Sequence, residues 1–187
     1  MEQEFLIALG SNLGSDHGDP AETVKAALAA LADAGFRLRR VSRFFATPCF
    51  PAGAGPDYVN ACAAVTLPGA AAPEVLTRLH AIEADFGRAR VQRWGSRTLD
   101  LDLIAADDTV LPDADTHAAW RALPLEDQKN RAPDRLILPH PRLQERAFVL
   151  VPLRDVAAGW RHPVLGTTVA AMTEALPEEL RQEVLPL

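Results

Sequence analysis

Arg93-Trp-Gly-Ser-Arg97-Thr98-Leu99-Asp100-Leu101-Asp102-Leu103-Ile104 is the stretch from which the rest of the chain can be placed. Its second half alternates, with Leu99, Leu101 and Leu103 interleaved by Asp100 and Asp102. A strand sends successive side chains to opposite faces, so the two aspartates share one side and the leucines face a core. The aspartate Cα atoms then lie about 6.5–7 Å apart. Asp is a poor strand former, so two of them in mid-strand run against local propensity. Carboxylates that close repel unless a cation sits between them. Mg²⁺ commonly takes one or two carboxylates together with the phosphates of a substrate. Arg88, Arg90, Arg93 and Arg97 lie just upstream, with Gly95 and the flat ring of Trp94 among them. Metal-binding acids beside phosphate-binding arginines point to nucleotide phosphate chemistry. On this stretch alone, an edge strand with two solvated aspartates paired to surface arginines stays open.

A chain of 187 residues, 48% hydrophobic and 24% charged, suffices for one domain with a full core. The formal net charge of −6 disfavours a broad nucleic-acid or acidic-membrane surface, so any cationic function is local. Cys49 and Cys62 make neither a disulfide framework nor a metal-type spacing, and a reduced thiol pair is expected. The acidic start lacks the pattern of a signal peptide, and no run of about 18 apolar residues occurs. The expectation is a cytoplasmic monomer that binds neither nucleic acid nor membrane.

Upstream of the aspartates the elements come in a definite order. Phe5–Leu9 reads as a buried strand ending in a Gly10-Ser-Asn-Leu-Gly14 turn. Pro20 opens a helix on Val24, Ala27, Leu28 and Leu31, and Gly35 ends it. Residues 36–47 alternate as a strand with an irregularity near Arg40, and a Pro/Gly loop follows from Thr47 to Pro56. Tyr58 to Leu67 is the next strand, with Tyr58, Asn60 and Cys62 on one face. Pro73 opens a second helix striped by Val75, Leu76, Leu79, Ile82 and Phe86, with Glu83 beside the stripe and Gly87 as its stop. Strand, helix, strand, strand, helix, strand is the α+β ferredoxin-like βαββαβ sandwich. Its antiparallel sheet carries both helices on one face, and the Asp strand is expected inside the sheet with Asp100 and Asp102 turned away from the helices.

Downstream, residues 107–134 turn polar and proline-broken, an insertion or lid within a single domain spanning 1–187, with a short helix predicted over 118–123. Arg135–Leu138 reads as a brief strand. Pro139-His140-Pro141 follows, with Arg142 and Arg146 flanking a helical turn. Ala147 to Leu153 and Thr167 to Leu176 read as helices. Among the histidines His140, close in sequence to three arginines, is the best phosphate candidate.

Taken together these motifs resemble the 6-hydroxymethyl-7,8-dihydropterin pyrophosphokinase family. The matching pieces are Ala8–Leu13, Thr47-Pro48, Tyr58-Val-Asn60, Glu83 with Gly87-Arg-Ala-Arg90, Arg93–Asp102, Pro139–Leu143 and Glu145–Leu150. The Arg-Trp-Gly-x-Arg-Thr-Leu-Asp-Leu-Asp string is the most specific of them.

The resemblance implies transfer of diphosphate from ATP to the hydroxymethyl group of the pterin, with release of AMP, in folate biosynthesis. It implies that Asp100 and Asp102 hold two Mg²⁺ ions and that Arg88 and Arg97 grip the triphosphate and assist transfer. Glu83, Arg88, Arg90, Trp94, Arg97, Arg135, His140 and Arg146 fall where that family contacts ATP. Thr47, Pro48, Phe50, Tyr58, Asn60 and Phe148 fall where it contacts the pterin, with Tyr58 and Phe148 sandwiching the ring. The chain departs from the family pattern at Val91 and Gln92, where some relatives carry a Lys. No dihydropteroate synthase or aldolase segment is present, so a monofunctional enzyme is expected. Two other readings share the Asp strand: a different Mg²⁺-dependent transferase or cyclase, and a non-catalytic binding module.

Overall fold

The computed structural model describes residues 2–49, 55–87, 98–124, 127 and 131–187. In chain order they form β1 (Glu4–Ser11), α1 (Pro20–Asp33), β2 (Arg37–Val41), β3 (Phe45–Thr47), β4 (Tyr58–Thr66), α2 (Ala72–Asp85) and β5 (Asp100–Ala106). There follow α3 (Ala114–Ala122), a 3-10 turn (Leu143–Glu145), α4 (Ala147–Ala157), α5 (Val169–Ala175), α6 (Glu178–Gln182) and β6 (Leu185–Pro186).

The sheet runs β5-β1-β4-β3-β6, with β2 also on β4, and every pairing is antiparallel. This is the expected α+β ferredoxin-like arrangement, with one difference: β5, expected inside the sheet, ends the strand order and among the described residues pairs with β1 alone. Period-two alternation divides the sheet into two apolar faces. Phe5, Ile7, Leu9, Leu101 and Leu103 pack with Val24, Leu31, Val75 and Leu79 of α1 and α2. Leu6, Cys62, Ala64 and Ile104 pack with Val149, Leu150, Leu153 and Met172 of α4 and α5. The C-terminal helices therefore make a third layer over one end of the far face. Asp19 caps α1 by accepting from Glu22 N (2.9 Å). Gly35 and Gly87, at φ +92° and +79°, turn the chain out of α1 and α2 in the left-handed region.

Helix α4 is clasped to the β2–β3 edge by two arginines. Arg40 Nε donates to Val156 O (2.6 Å), and Arg43 pairs with both oxygens of Asp155 (2.9 and 3.0 Å). The hydrogen-bonded Arg43 guanidinium holds the Asp155 carboxyl below its usual range. Cys62, under α4, donates to Val149 O (3.6 Å), and burial pushes its thiol up, so it stays protonated.

Three further expectations are corrected. Residues 36–47 form two strands, not one. Cys62 N donates to Ser42 Oγ (2.9 Å), so a side-chain oxygen replaces a ladder carbonyl and interrupts the strand. The register also shifts between Leu38 and Arg40. Arg135–Leu138 is not a strand: only Leu138 bridges Leu111, and the adjacent Pro112 and Pro139 have no N–H with which to extend the ladder. In the insertion, helix α3 starts four residues earlier than expected, because Asp113 caps it by accepting from Thr116 N (2.8 Å).

Helix α3 is docked through buried histidines. His117 Nε2 donates to Pro139 O (2.9 Å), and its ring meets that of His162 edge-on at 5.8 Å. His162 Nδ1 accepts from Val164 N and Leu165 N (3.1 and 3.2 Å). Burial lowers both imidazoles from their ordinary value of 6.5, His162 to about 4. Among the described residues no helix is long and apolar enough to cross a membrane.

Since these histidines stay neutral in the fold while the unfolded chain takes up protons below about pH 6.5, their contribution is fully present above that pH. It is lost as pH falls toward about 4. Thermal denaturation followed by circular dichroism is expected to show a falling Tm between pH 6.5 and 5. In His162→Asn, which accepts the same backbone N–H groups and cannot titrate, the slope is shallower; an equal slope removes His162 as the cause.

Candidate functional site

The strand register sets the site. Gly10 of β1 lies opposite Asp100 of β5 on one side and Asn60 of β4 on the other. Asn60 in turn faces Phe45 of β3, and Thr47 faces Tyr58. Asp102 lies opposite Ala8, which lies opposite Cys62. Asp100, Asp102, Asn60, Tyr58 and Thr47 therefore share the far face, beyond the end that α4 covers. The floor between acids and amide is Gly10, which has no side chain. A Cβ there would fall 2.8 Å from Asn60 Oδ1 and 3.9 Å from Tyr58 Cδ1. Asn60 Nδ2 donates to Thr47 Oγ1 (2.6 Å), which leaves its carbonyl turned toward Gly10.

Both aspartates are half-buried. The strand carrying them is fixed from behind by Glu83, which is wholly buried on α2 and accepts from Leu101 N (2.7 Å). Glu83, expected among the ATP contacts, is buried on the core side of the sheet, where its carboxylate holds β5. Asp102 has Arg146 Nη1 at 3.6 Å, and the Arg146 guanidinium lies 5.7 Å over the ring of Phe148. Phe148 is 41% exposed, a large apolar side chain left open at the start of α4, the helix that packs on the Asn60 face.

Along the outer side of β5 runs a cleft of about 440 Å³. Asp102, His140, Arg142 and Arg146 line it, with Arg131, Asp134 and Arg135 as further charged groups. Leu76, Leu103, Leu136, Ile137 and Trp120 supply apolar surface. His140 N donates to Ile104 O (2.8 Å), which seats this segment against β5. His140 Nδ1 accepts from Arg142 N (3.1 Å), so the proton of the neutral ring sits on Nε2. Burial, then Arg146 and Arg142, hold His140 well below its ordinary value against the opposing pull of Asp100. The ring is therefore a neutral hydrogen-bond donor beside two guanidinium groups, suited to an anionic oxygen. A second hollow, of about 560 Å³ and lined by Leu165, Met172, Leu176 and Leu180, is largely apolar.

The predicted site residues thus fall into groups. Asp102, His140, Arg135 and Arg146 line the cleft at β5, beside Asp100; Thr47, Tyr58 and Asn60 lie on the sheet face, and Phe148 is on α4 against Arg146. Pro48 is exposed in the loop beyond β3, where Asp57 accepts from Cys49 N (3.3 Å) and Asn12 Nδ2 donates to Pro56 O (3.2 Å). Arg88, Arg90, Trp94, Arg97 and Phe50 lie outside the described residues, as do Val91 and Gln92. One reading is corrected and two residues were missed: Gly10, expected to open a turn, lies inside β1, where pairing with β4 and β5 holds it in the sheet, and the cleft residues Trp120 and Arg131 carry no local motif.

The family model for 7,8-dihydro-6-hydroxymethylpterin-pyrophosphokinase matches residues 6–158. A 2-amino-4-hydroxy-6-hydroxymethyldihydropteridine pyrophosphokinase from Synechocystis is 37% identical over 170 residues, covering 90% of this chain and 74% of the relative. One of the same name from Pseudomonas aeruginosa is 37% identical over 168 residues, covering 87% of this chain and 86% of the relative. Among solved structures, a Plasmodium falciparum HPPK-DHPS chain shares the fold with a TM-score of 0.64 at 12% identity. The match covers 92% of this chain and 43% of that one, so the chain spans less than half of that two-part protein.

The Gly10 floor is directly testable. Gly10→Ala is expected to cost about 1–3 kcal/mol in urea unfolding, because the Asn60 amide is held by Thr47 and cannot swing aside freely. In an Asn60→Ala background the same substitution is expected to cost less, and strict additivity would show that the two residues do not compete for this space.

Proposed function

The chain belongs to the 7,8-dihydro-6-hydroxymethylpterin-pyrophosphokinase family, and we propose that its far sheet face and the cleft beside β5 together transfer diphosphate from ATP to the pterin's hydroxymethyl oxygen. The reaction forms an O–P bond to the β-phosphorus and breaks the bond between that phosphorus and the α,β-bridging oxygen. AMP leaves, and the hydroxyl proton passes to solvent. The observation that carries this reading is the row Asp100–Gly10–Asn60: a carboxylate and a side-chain amide flank a floor without a side chain.

Asp100 and Asp102 would hold two Mg²⁺ ions. The donor set fits: two half-buried carboxylates share a strand face, and hard oxygen donors suit Mg²⁺. No group of three or more metal-ligating side chains occurs among the described residues. Magnesium supplies charge neutralisation of the polyphosphate.

The chain's own groups do the rest. Arg146, beside Asp102, and the Nε2–H of His140 are placed to bind phosphate oxygens; Arg135 and Arg142 add positive charge along the same cleft. Asn60 offers its carbonyl to a ring N–H, and Tyr58 and Phe148 offer aromatic faces to the pterin. Arg88 and Arg97 complete the grip on the triphosphate by family resemblance. Positioning and electrostatics suffice for such a transfer, so the aspartates act as ionised ligands, not as acid or base.

Incubation with ATP, Mg²⁺ and 6-hydroxymethyl-7,8-dihydropterin is expected to release AMP, and chelation of Mg²⁺ to stop it. ADP or free pyrophosphate as the nucleotide-derived product would overturn the reaction assignment. Asp102→Asn is expected to lower kcat by at least about a hundredfold while the circular dichroism spectrum is retained; near-normal turnover would remove the metal assignment.

A further inference from the structure

We infer that helix α3, in the 107–134 insertion, contributes a wall of the nucleotide site, and that Trp120 on it stacks on the base of ATP. The inference rests on the proposed use of the cleft for ATP and adds the part of the ligand that Asp102, His140 and Arg146 do not address.

The cleft carries two kinds of surface. Asp102, His140, Arg142 and Arg146 suit a polyphosphate. Leu76, Leu103, Leu136 and Ile137 give it apolar surface, beside the charged Arg131, Asp134 and Arg135. A nucleotide whose phosphates lie at Asp102, His140 and Arg146 leaves its base for that apolar surface. Trp120 belongs to the same lining, with Arg131 lying over the indole at 5.6 Å. Indole and guanidinium are the two side-chain surfaces on which a flat heterocycle stacks best.

Helix α3 holds Trp120 in place. His117 and Trp120 stand three residues apart and so share a helix face. His117 is buried and bonded to Pro139 O, the carbonyl immediately before His140. The phosphate-side imidazole and the base-side indole are thus tied through one hydrogen bond and one helical turn. Asp113 fixes the start of the helix with two bonds to Thr116, from N and from Oγ1, both 2.8 Å. Trp120 is the residue of α3 that lines the cleft.

The test is steady-state kinetics at saturating pterin with three variants. Trp120→Ala is expected to raise KM for ATP by roughly tenfold, within the range that base stacking supplies. Its KM for pterin and its kcat are expected to stay within about twofold of wild type. Trp120→Phe, which keeps an aromatic face, is expected to recover most of the ATP affinity. Trp120→Leu, which keeps apolar bulk alone, is expected to behave like the alanine variant and serves in its place should that variant fail to fold. An unchanged ATP KM in both Ala and Leu variants overturns the role. So does Leu matching Phe, which makes Trp120 packing only, or a parallel rise in pterin KM. Normal wild-type AMP release with any of these results leaves the proposed reaction standing; no AMP from wild type overturns both.

Discussion

Strand β5 must be a core strand and an acidic strand at once, and the period-two pleat is what permits it. Leu101 and Leu103 go into the layer with α1 and α2, while Asp100 and Asp102 emerge on the other face. A slip of one residue would bury both carboxylates in the core and expose both leucines. Burying an ionised carboxylate without a partner costs several kcal/mol, so the register is held from both faces. Glu83 reinforces it from the core by taking the Leu101 N–H. One buried carboxylate on α2 thereby sets the height at which two others present themselves.

The second constraint is that the far face is only partly roofed. At one end α4 and α5 cover Leu6, Cys62, Ala64 and Ile104. At the other, side-chain volume falls away to Ala8 and Gly10 just where the strands carry Asp100, Asp102 and Asn60. The roof stops at Phe148, and Arg146, immediately outside α4, spans from that ring to Asp102. Aromatic wall and acidic centre are therefore joined by one guanidinium, whose position depends on how α4 is clasped by Arg40 and Arg43 to the opposite edge of the sheet.

Local pattern carried much of this. The strands at Phe5–Leu9, Tyr58–Leu67 and the Asp stretch alternate or run apolar, and both early helices carry a proline at the start and a glycine at the end. What stayed illegible depended on contacts distant in sequence. Ser42 breaks a strand because its hydroxyl is aligned with Cys62 N, a meeting twenty residues away. Glu83 reads as a polar residue beside an apolar stripe, and nothing in α2 shows that it answers an amide on β5. Helix α3 was half legible: its cap signal, Asp113, is plain once the helix is known, but a proline-rich polar setting masks it. The docking of α3 needs Pro139 O, a backbone atom that no side-chain pattern announces. For the arginine run from Arg88 to Arg97, sequence and family resemblance alone give the assignment.

His140 shows how that docking reaches the chemistry. Its Nδ1 is taken by Arg142 N and its own N–H by Ile104 O, so the ring's tautomer and place are both fixed by backbone. The residue before it receives the hydrogen bond from α3. Burial and two neighbouring guanidinium groups keep the imidazole uncharged. An uncharged ring with its proton on Nε2 can donate to an anionic oxygen without adding to the crowded positive charge of Arg142 and Arg146. A protonated ring would lose the bond from Arg142 N and repel both arginines. The same buried setting that lowers the affinity of His140 for a proton thus makes it a directional donor, and the insertion that looks peripheral in sequence is one of the supports of that setting.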